Sequence, residues 1–197
     1  TKIILAMRRN GWRRLAITSP TALCGKSTTI ANLCAGFSRQ PDIKTILFDL
    51  DLRRPALHKI LGYRPANSIT KLLCQEVSLT EQSVRIGGNV ALSLASGPAS
   101  DPTQYLLSDQ TVKVLDEIEA AHQPDLMMFD MPPLLVGDDT RAFLKEVDCA
   151  ILIVRAEETT TAQIKACQQE ISEQTNLLGA VLTQVRYLSD VKEDDYY

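Results

Sequence analysis

Short apolar runs alternate with stretches of helical period along nearly the whole chain. Six runs rich in Ile, Leu and Val predict strands: Leu15–Thr18, Thr45–Asp49, Val90–Leu94, Leu126–Asp130, Cys149–Val154 and Gly179–Leu182. They are apolar throughout rather than alternating, as strands covered on both faces are. Between them, Thr161–Thr175 sets Ile164, Cys167 and Ile171 on one helical face. Asp109–Ala121 does the same with Val114, Ile118 and Ala121, and Asp109 is its expected N-cap. Helices inserted between parallel strands imply right-handed crossovers. The pattern predicts an α/β fold: a doubly wound, mostly parallel sheet covered by helices on both faces. Ligands of such sheets bind beyond the carboxyl ends of the strands.

The regularity fails twice. Residues 61–88 offer only a short helix, capped by Asn67 or Ser68 and running through Leu73, then a loop holding Gly87-Gly88. Residues 187–197 lose apolar period altogether. They carry Asp190, Glu193, Asp194 and Asp195 beside Tyr187, Tyr196 and Tyr197, and read as a flexible acidic tail behind a catalytic domain of residues 1–186.

Composition narrows the picture further. A chain of 197 residues suits one domain and buries a core without disulfide or metal staples. Its 45% apolar and 23% charged residues match a globular protein, and a net charge of -3 disfavours a nucleic-acid partner. No apolar run approaches the roughly 18 residues of a membrane helix, and no signal peptide is visible. Five cysteines stand singly, as expected in a reducing compartment. All but Cys24 read as small buried apolar residues. His58 and His122 lack metal-ligand spacing and read as structural.

The chemistry begins after the first strand, in Thr18-Ser19-Pro20-Thr21-Ala22-Leu23-Cys24-Gly25-Lys26-Ser27-Thr28. Gly-Lys-Ser at a strand-to-helix turn is the working half of a phosphate-binding loop. Backbone N–H groups face the phosphates, Lys26 reaches the β and γ oxygens from an exposed loop position, and the Ser27 hydroxyl ligates Mg²⁺. The full pattern has glycine where Pro20 stands. The second strand ends Asp49-Leu50-Asp51-Leu52-Arg53-Arg54-Pro55, placing two carboxylates at the ligand edge. A third ends Asp130-Met131-Pro132-Pro133, the apolar run and Asp of a Walker B element. One lysine, one hydroxyl and three aspartates on one edge are what Mg-assisted phosphoryl transfer requires.

This series resembles the bacterial tyrosine kinases of capsule and exopolysaccharide synthesis, within the P-loop ATPases that include the MinD and ParA proteins. Asp101-Pro102 with Leu106-Leu107, Val154-Arg155 with Thr159, Leu178–Leu182 and the terminal tyrosines extend the resemblance over nearly the whole chain. It implies an ATP-dependent protein-tyrosine autokinase using ATP and Mg²⁺. Catalytic roles then fall to Lys26, Asp49, Asp51 and Arg53, and nucleotide contacts to Cys24, Gly25, Lys26, Ser27, Thr28 and Thr183. Ser27, Asp49 and Asp130 would hold the metal. Asp51 would lie nearest the incoming tyrosine hydroxyl, as base or positioner. Arg53 would steer an acidic tail or steady the nucleotide, while Arg54 reads as a solvated helix end. Tyr196, Tyr197 and Tyr187 would be autophosphorylated in trans.

The implied partners are further copies of the chain, a transmembrane polysaccharide co-polymerase or activator (on the same or a separate chain) and a cognate tyrosine phosphatase, with no nucleic acid. The implied location is the cytoplasmic side of the bacterial inner membrane, where Arg8, Arg9, Arg13 and Arg14 would suit an anionic surface. Three departures accompany the resemblance. Leu23-Cys24 stand where the family's loop carries glycine, and Cys24 beside a helix N-terminus is a candidate reactive thiol. Lys2 and Leu5 occupy the Glu and first Arg positions of the self-association element, with Arg8 alone matching. Thr183-Gln184 replaces an Asn near the adenine. Two alternatives stay open: a nucleotide-binding scaffold with little kinase activity, and a MinD- or ParA-like switch. The switch proteins carry an additional lysine where this chain has Thr21.

Overall fold

The computed structural model describes residues 2–186. A first helix, α1 (Lys2–Asn10), precedes strand β1 (Arg14–Thr18), which runs through the phosphate-binding loop into α2 (Lys26–Phe37). Then follow β2 (Thr45–Asp49), the short helices α3 (Leu57–Ile60), α4 (Ile69–Leu73) and α5 (Leu79–Gln82), and strands β3 (Val84–Ile86) and β4 (Val90–Ser93). Helices α6 (Pro102–Leu106) and α7 (Asp109–His122) lead to β5 (Leu126–Asp130) and α8 (Asp138–Phe143). Strand β6 (Cys149–Arg155), α9 (Thr161–Gln174) and β7 (Asn176–Thr183) complete the order.

The strands form one sheet in the order β3-β4-β2-β5-β1-β6-β7, parallel except for the β3–β4 pair. The doubly wound fold expected from the apolar runs is the fold observed. Neighbouring side chains of each strand enter opposite cores. On one face Phe48 stacks on Phe129 and Phe143 meets Phe129 edge-on, with centroids 5.3 and 5.4 Å apart, under Leu115 of α7 and Ile171 of α9. On the other, Leu15, Ile17, Leu47 and Met128 meet Ile30, Cys34 and Phe37 of α2, and Ile4 and Met7 of α1. Burying each large side chain is worth about 1.5–3 kcal/mol, so the centre of the sheet is its most rigid part. There β2, β5 and β1 lie side by side, with Asp49 in register with Asp130 and Ile17 also opposite Asp130.

Several expectations need correction. Ser108, not Asp109, caps α7: its hydroxyl accepts the Gln110 N–H at 3.1 Å, and Asp109 is the first helical residue. Residues 61–88 contain more structure than the short helix beginning after Ser68. Ser78 and Glu81 form a capping box for α5, and β3 adds an antiparallel edge. Three residues, Val84-Arg85-Ile86, are too few to display a period. Strand β7 begins at Asn176, earlier than the predicted Gly179, because it pairs with β6 from Cys149 onward.

Cys34, Cys149 and Cys167 are buried, and burial pushes their thiols up to about 12. Cys24 is also buried, whereas Cys74 is exposed. The arginine cluster near the start is partly spent. Arg14 pairs with Asp116 at 2.6 Å and Glu119 at 2.7 Å, and Arg8 reaches Asp125 at 3.5 Å. Among the described residues no helix is long and apolar enough to cross a membrane. Tyr187, Tyr196 and Tyr197 lie outside the described residues.

Candidate active site

Strand β1 delivers the chain to the middle of the ligand edge, where the Thr18 hydroxyl donates to the Pro132 carbonyl at 2.7 Å. The Leu134 N–H returns a bond to the Ser19 carbonyl at 2.8 Å, fastening the loop to the segment after β5. Gly25, at φ 82°, turns the chain into α2 and supplies no side-chain cap. The first N–H groups of α2 are thus left for an anion, which the positive end of the helix also favours. Leu23 adopts φ 65°, a left-handed conformation costing a side-chain-bearing residue roughly 1–2 kcal/mol.

Leu23 and Cys24 resolve differently. Leu23 is 81% exposed and turned outward, whereas Cys24 is 2% exposed with its sulfur 3.6 Å from the Thr21 hydroxyl. A thiol so enclosed is a packing element and not the accessible reactive group that its position suggested. Thr183 donates to the Cys24 carbonyl at 2.6 Å, and Gln184 Nε2 to the Leu23 carbonyl at 3.1 Å. These residues therefore hold the loop's shape. Thr183 engages the loop backbone and is not among the residues lining the adjoining cavity.

That cavity, about 250 Å³, is lined by Ser19, Gly25, Lys26, Ser27, Thr28 and Asp51 together with Leu23, Cys24 and Arg54, among others. Lys26, expected in an exposed loop, is instead the first residue of α2 and only 7% exposed. Its Nζ donates to Asp130 Oδ1 and, at 3.3 Å, to Asp51 Oδ2. Burial opposes the lysine's charge, but the two carboxylates outweigh it, and its pKa is raised. Ser27 Oγ donates to the other Asp130 oxygen at 3.0 Å. Burial raises the Asp130 pKa even though Lys26 pulls the other way.

Asp49 lies beside Asp130, fully buried, and neither of its oxygens makes a well-formed hydrogen bond, the Ala95 N–H being the one backbone donor that influences it. Burial, reinforced by the charge of Asp130, holds its pKa well above the usual carboxylate range. Two such oxygens at the heart of a site are costly unless something binds there. An all-oxygen set of three carboxylates and a hydroxyl, facing a single ammonium, fits a hard divalent cation such as Mg²⁺. Among the described residues no three acidic, His or Cys side chains form a chelating cage. Mg²⁺ takes few protein ligands and completes its shell with water and phosphate.

Arg53, expected in a catalytic role, is held here by a carboxylate. Its Nε donates to Asp139 Oδ2 at 2.5 Å and its Nη2 to Asp139 Oδ1 at 3.1 Å, with Thr103 Oγ1 adding a 2.6 Å bond to the same carboxylate. Asp139 is 2% exposed. Burial works against its charge, yet these donors hold its pKa below the ordinary value. Arg53 thus bolts the loop carrying Asp51 to α6 and α8, and it is absent from the cavity lining. Arg54, expected to be merely solvated, does line the cavity, while Asp51 Oδ1 accepts its backbone N–H at 3.2 Å.

Arg53→Ala leaves Asp139 buried beside Thr103 alone. The expected loss is about 1–2 kcal/mol in chemical denaturation, since a buried acceptor loses its charged partner while the half-exposed pair is screened by water. The KM for ATP should stay within a few-fold. A large rise in that KM with unchanged stability would return Arg53 to the nucleotide. Asp139 and Thr103 went unnoticed in the sequence, because they meet the site through tertiary contacts that leave no spacing signal.

No protein-family model matches the chain. Among curated proteins it is 31% identical over 199 aligned residues to tyrosine-protein kinase YwqD of Bacillus subtilis, an alignment spanning 100% of this chain and 82% of that protein. The chain belongs to the bacterial tyrosine-protein kinases. The kinase also superposes on the solved VpsO kinase domain with a TM-score of 0.82, at 24% identity, over 93% of this chain and 90% of that one. A more distant match is cobyrinic acid a,c-diamide synthase from Mycobacterium smegmatis, solved with an ATP analogue and magnesium. Its TM-score is 0.70 at 23% identity, over 87% of the kinase and 74% of the synthase, which makes it a shared fold.

Proposed function

We propose that the kinase transfers the γ-phosphoryl group of ATP to tyrosines of its own tail, Tyr196 and Tyr197 before Tyr187, with one copy acting on another. The reading further takes this reaction to regulate capsule or exopolysaccharide synthesis at the inner face of the bacterial membrane, beside a transmembrane activator and opposed by a phosphatase. The observation that carries it is the buried meeting of Lys26 with Asp51 and Asp130 at the floor of the phosphate-binding loop.

The chain's own groups divide the work. Free N–H groups at the start of α2 and the Lys26 ammonium bind the phosphate oxygens and take up charge that shifts toward the departing ADP. Ser27, Asp49 and Asp130 would hold Mg²⁺, which supplies charge neutralisation. The tyrosine oxygen forms its bond to the γ-phosphorus as the bond to the β–γ bridging oxygen breaks. The phenolic proton, ordinarily held to a pKa near 10, passes to Asp51, the carboxylate that opens onto the cavity. Arg54 lines the same cavity and makes no ion pair among the described residues, so it suits Asp194 and Asp195 of an arriving tail better than Arg53 does.

A neighbouring site at high local concentration favours transfer between molecules. Mixing a Lys26→Ala chain with a Tyr196→Phe/Tyr197→Phe chain in Mg-ATP, followed by intact mass, tests this. The expected result is phosphate on the Lys26→Ala chain. An unmodified Lys26→Ala chain, beside a wild type whose rate ignores dilution, overturns transfer in trans. For the wild type alone, ADP without added phosphate would indicate an ATPase switch, and neither product a scaffold.

A further inference from the structure

At the opposite end of the sheet from the active site, a second cavity of about 250 Å³ opens at the start of β2 and β4 and just before β5. Five residues of strand, about 16 Å, separate the two ends. Arg85 lies opposite Ala91 and Ala91 opposite Ile46, so the three form a row across β3, β4 and β2 on one face. Lys44, immediately before β2, also lines the cavity. His122, the last residue of α7, closes the third side, and Thr80 and Ser83 add hydroxyls to the lining.

The charge at this cavity is one-sided. Lys44, Arg85 and His122 make no side-chain hydrogen bond or ion pair among the described residues, and no carboxylate lines the cavity. The neighbouring acid, Asp125, is spent elsewhere: it accepts the Lys44 backbone N–H at 2.9 Å and pairs with Arg8. In a chain with a net charge of -3, a concave site with two fixed cations, an imidazole and two hydroxyls, and without a counter-charge, is unusual. A guanidinium fork and an ammonium with hydroxyl donors are the groups that recognise phosphoryl oxygens.

We propose that this cavity is a phosphomonoester-binding site, separate from the nucleotide site, in which Arg85 and Lys44 hold the anion. The phosphoryl group can come from a free small phosphate or from a phosphotyrosine made by the kinase, and one titration distinguishes them. With the nucleotide site saturated by Mg-ADP, inorganic phosphate is added to ¹⁵N-labelled kinase and amide shifts are followed. Saturable shifts at Lys44, Arg85 and Gly88 are expected. Lys44→Ala/Arg85→Ala should weaken binding tenfold or more while leaving ADP affinity unchanged.

Both replaced side chains are exposed, so the fold should survive; Lys44→Gln and Arg85→Gln singly provide milder variants, each expected to weaken binding. A phosphotyrosyl peptide that binds more tightly than phosphate names the phosphotyrosine source, and the reverse order names the small phosphate. Equal binding by the unphosphorylated acidic peptide, shifts confined to residues 19–28, or phosphate affinity unchanged in the double variant would overturn the proposal. The site is remote from Lys26 and Asp51, so these outcomes are independent of whether the tail is the kinase's substrate.

Discussion

Asp51→Asn should cut tyrosine phosphorylation by roughly 10²–10⁴ while Mg-ATP affinity stays within a few-fold. Asp51 is the aspartate of the cluster that lines the cavity, whereas Asp49 and Asp130 are fully buried behind it. The amide still accepts the Arg54 N–H through its oxygen, so the loop keeps its shape, but it cannot take the phenolic proton. Loss of a positioned general base has that size of effect. The measurement is single-turnover phosphorylation beside nucleotide titration. Asp49→Asn and Asp130→Asn should instead weaken Mg-dependent nucleotide binding. Equal binding losses in all three variants would remove the separate role of Asp51.

Lys26→Ala should abolish phosphate transfer and also destabilise the protein, by about 3–5 kcal/mol at neutral pH without nucleotide. Asp130 is completely buried, and its ammonium partner is the group removed. Breaking a buried pair from one side leaves an uncompensated charge, and that penalty exceeds what the pair contributed. The pH dependence follows from the same physics. Without Lys26, burial alone keeps the Asp130 carboxyl protonated to higher pH in the folded state than in the unfolded state. The variant's folded state therefore holds the extra proton, and its stability falls as pH rises through that raised pKa. Denaturation at pH 5 and pH 8 should show the variant closer to wild type at the lower pH. An unchanged unfolding midpoint at both would show that Lys26 is not holding a buried charge.

The Arg53–Asp139 pair has the opposite sign. Asp139 has a lowered pKa, so its contribution is present above the unfolded carboxyl value near 4 and is lost as pH falls through the lower folded value. Acid should thus erase the difference between wild type and Arg53→Ala.

What the sequence determined by itself is the sheet and its working edge. Strands buried on both faces must be continuously apolar, so Thr45–Asp49 and Leu126–Asp130 announced themselves, and a carboxylate ending each apolar run marked the edge where a ligand site was expected. Gly25-Lys26-Ser27 was legible for a similar reason: a glycine turn leading into a helix start is a local device, readable from neighbouring residues. Tertiary structure decided everything that joins distant segments. It buried Lys26 against Asp130, 104 positions away, and paired Arg53 with Asp139, 86 positions on. It set Thr183 on the Cys24 carbonyl and gathered Lys44, Arg85 and His122 around a second cavity. Backbone propensity and hydrophobic period act over a few residues, whereas a charged side chain settles on whichever partner the packed sheet brings within reach.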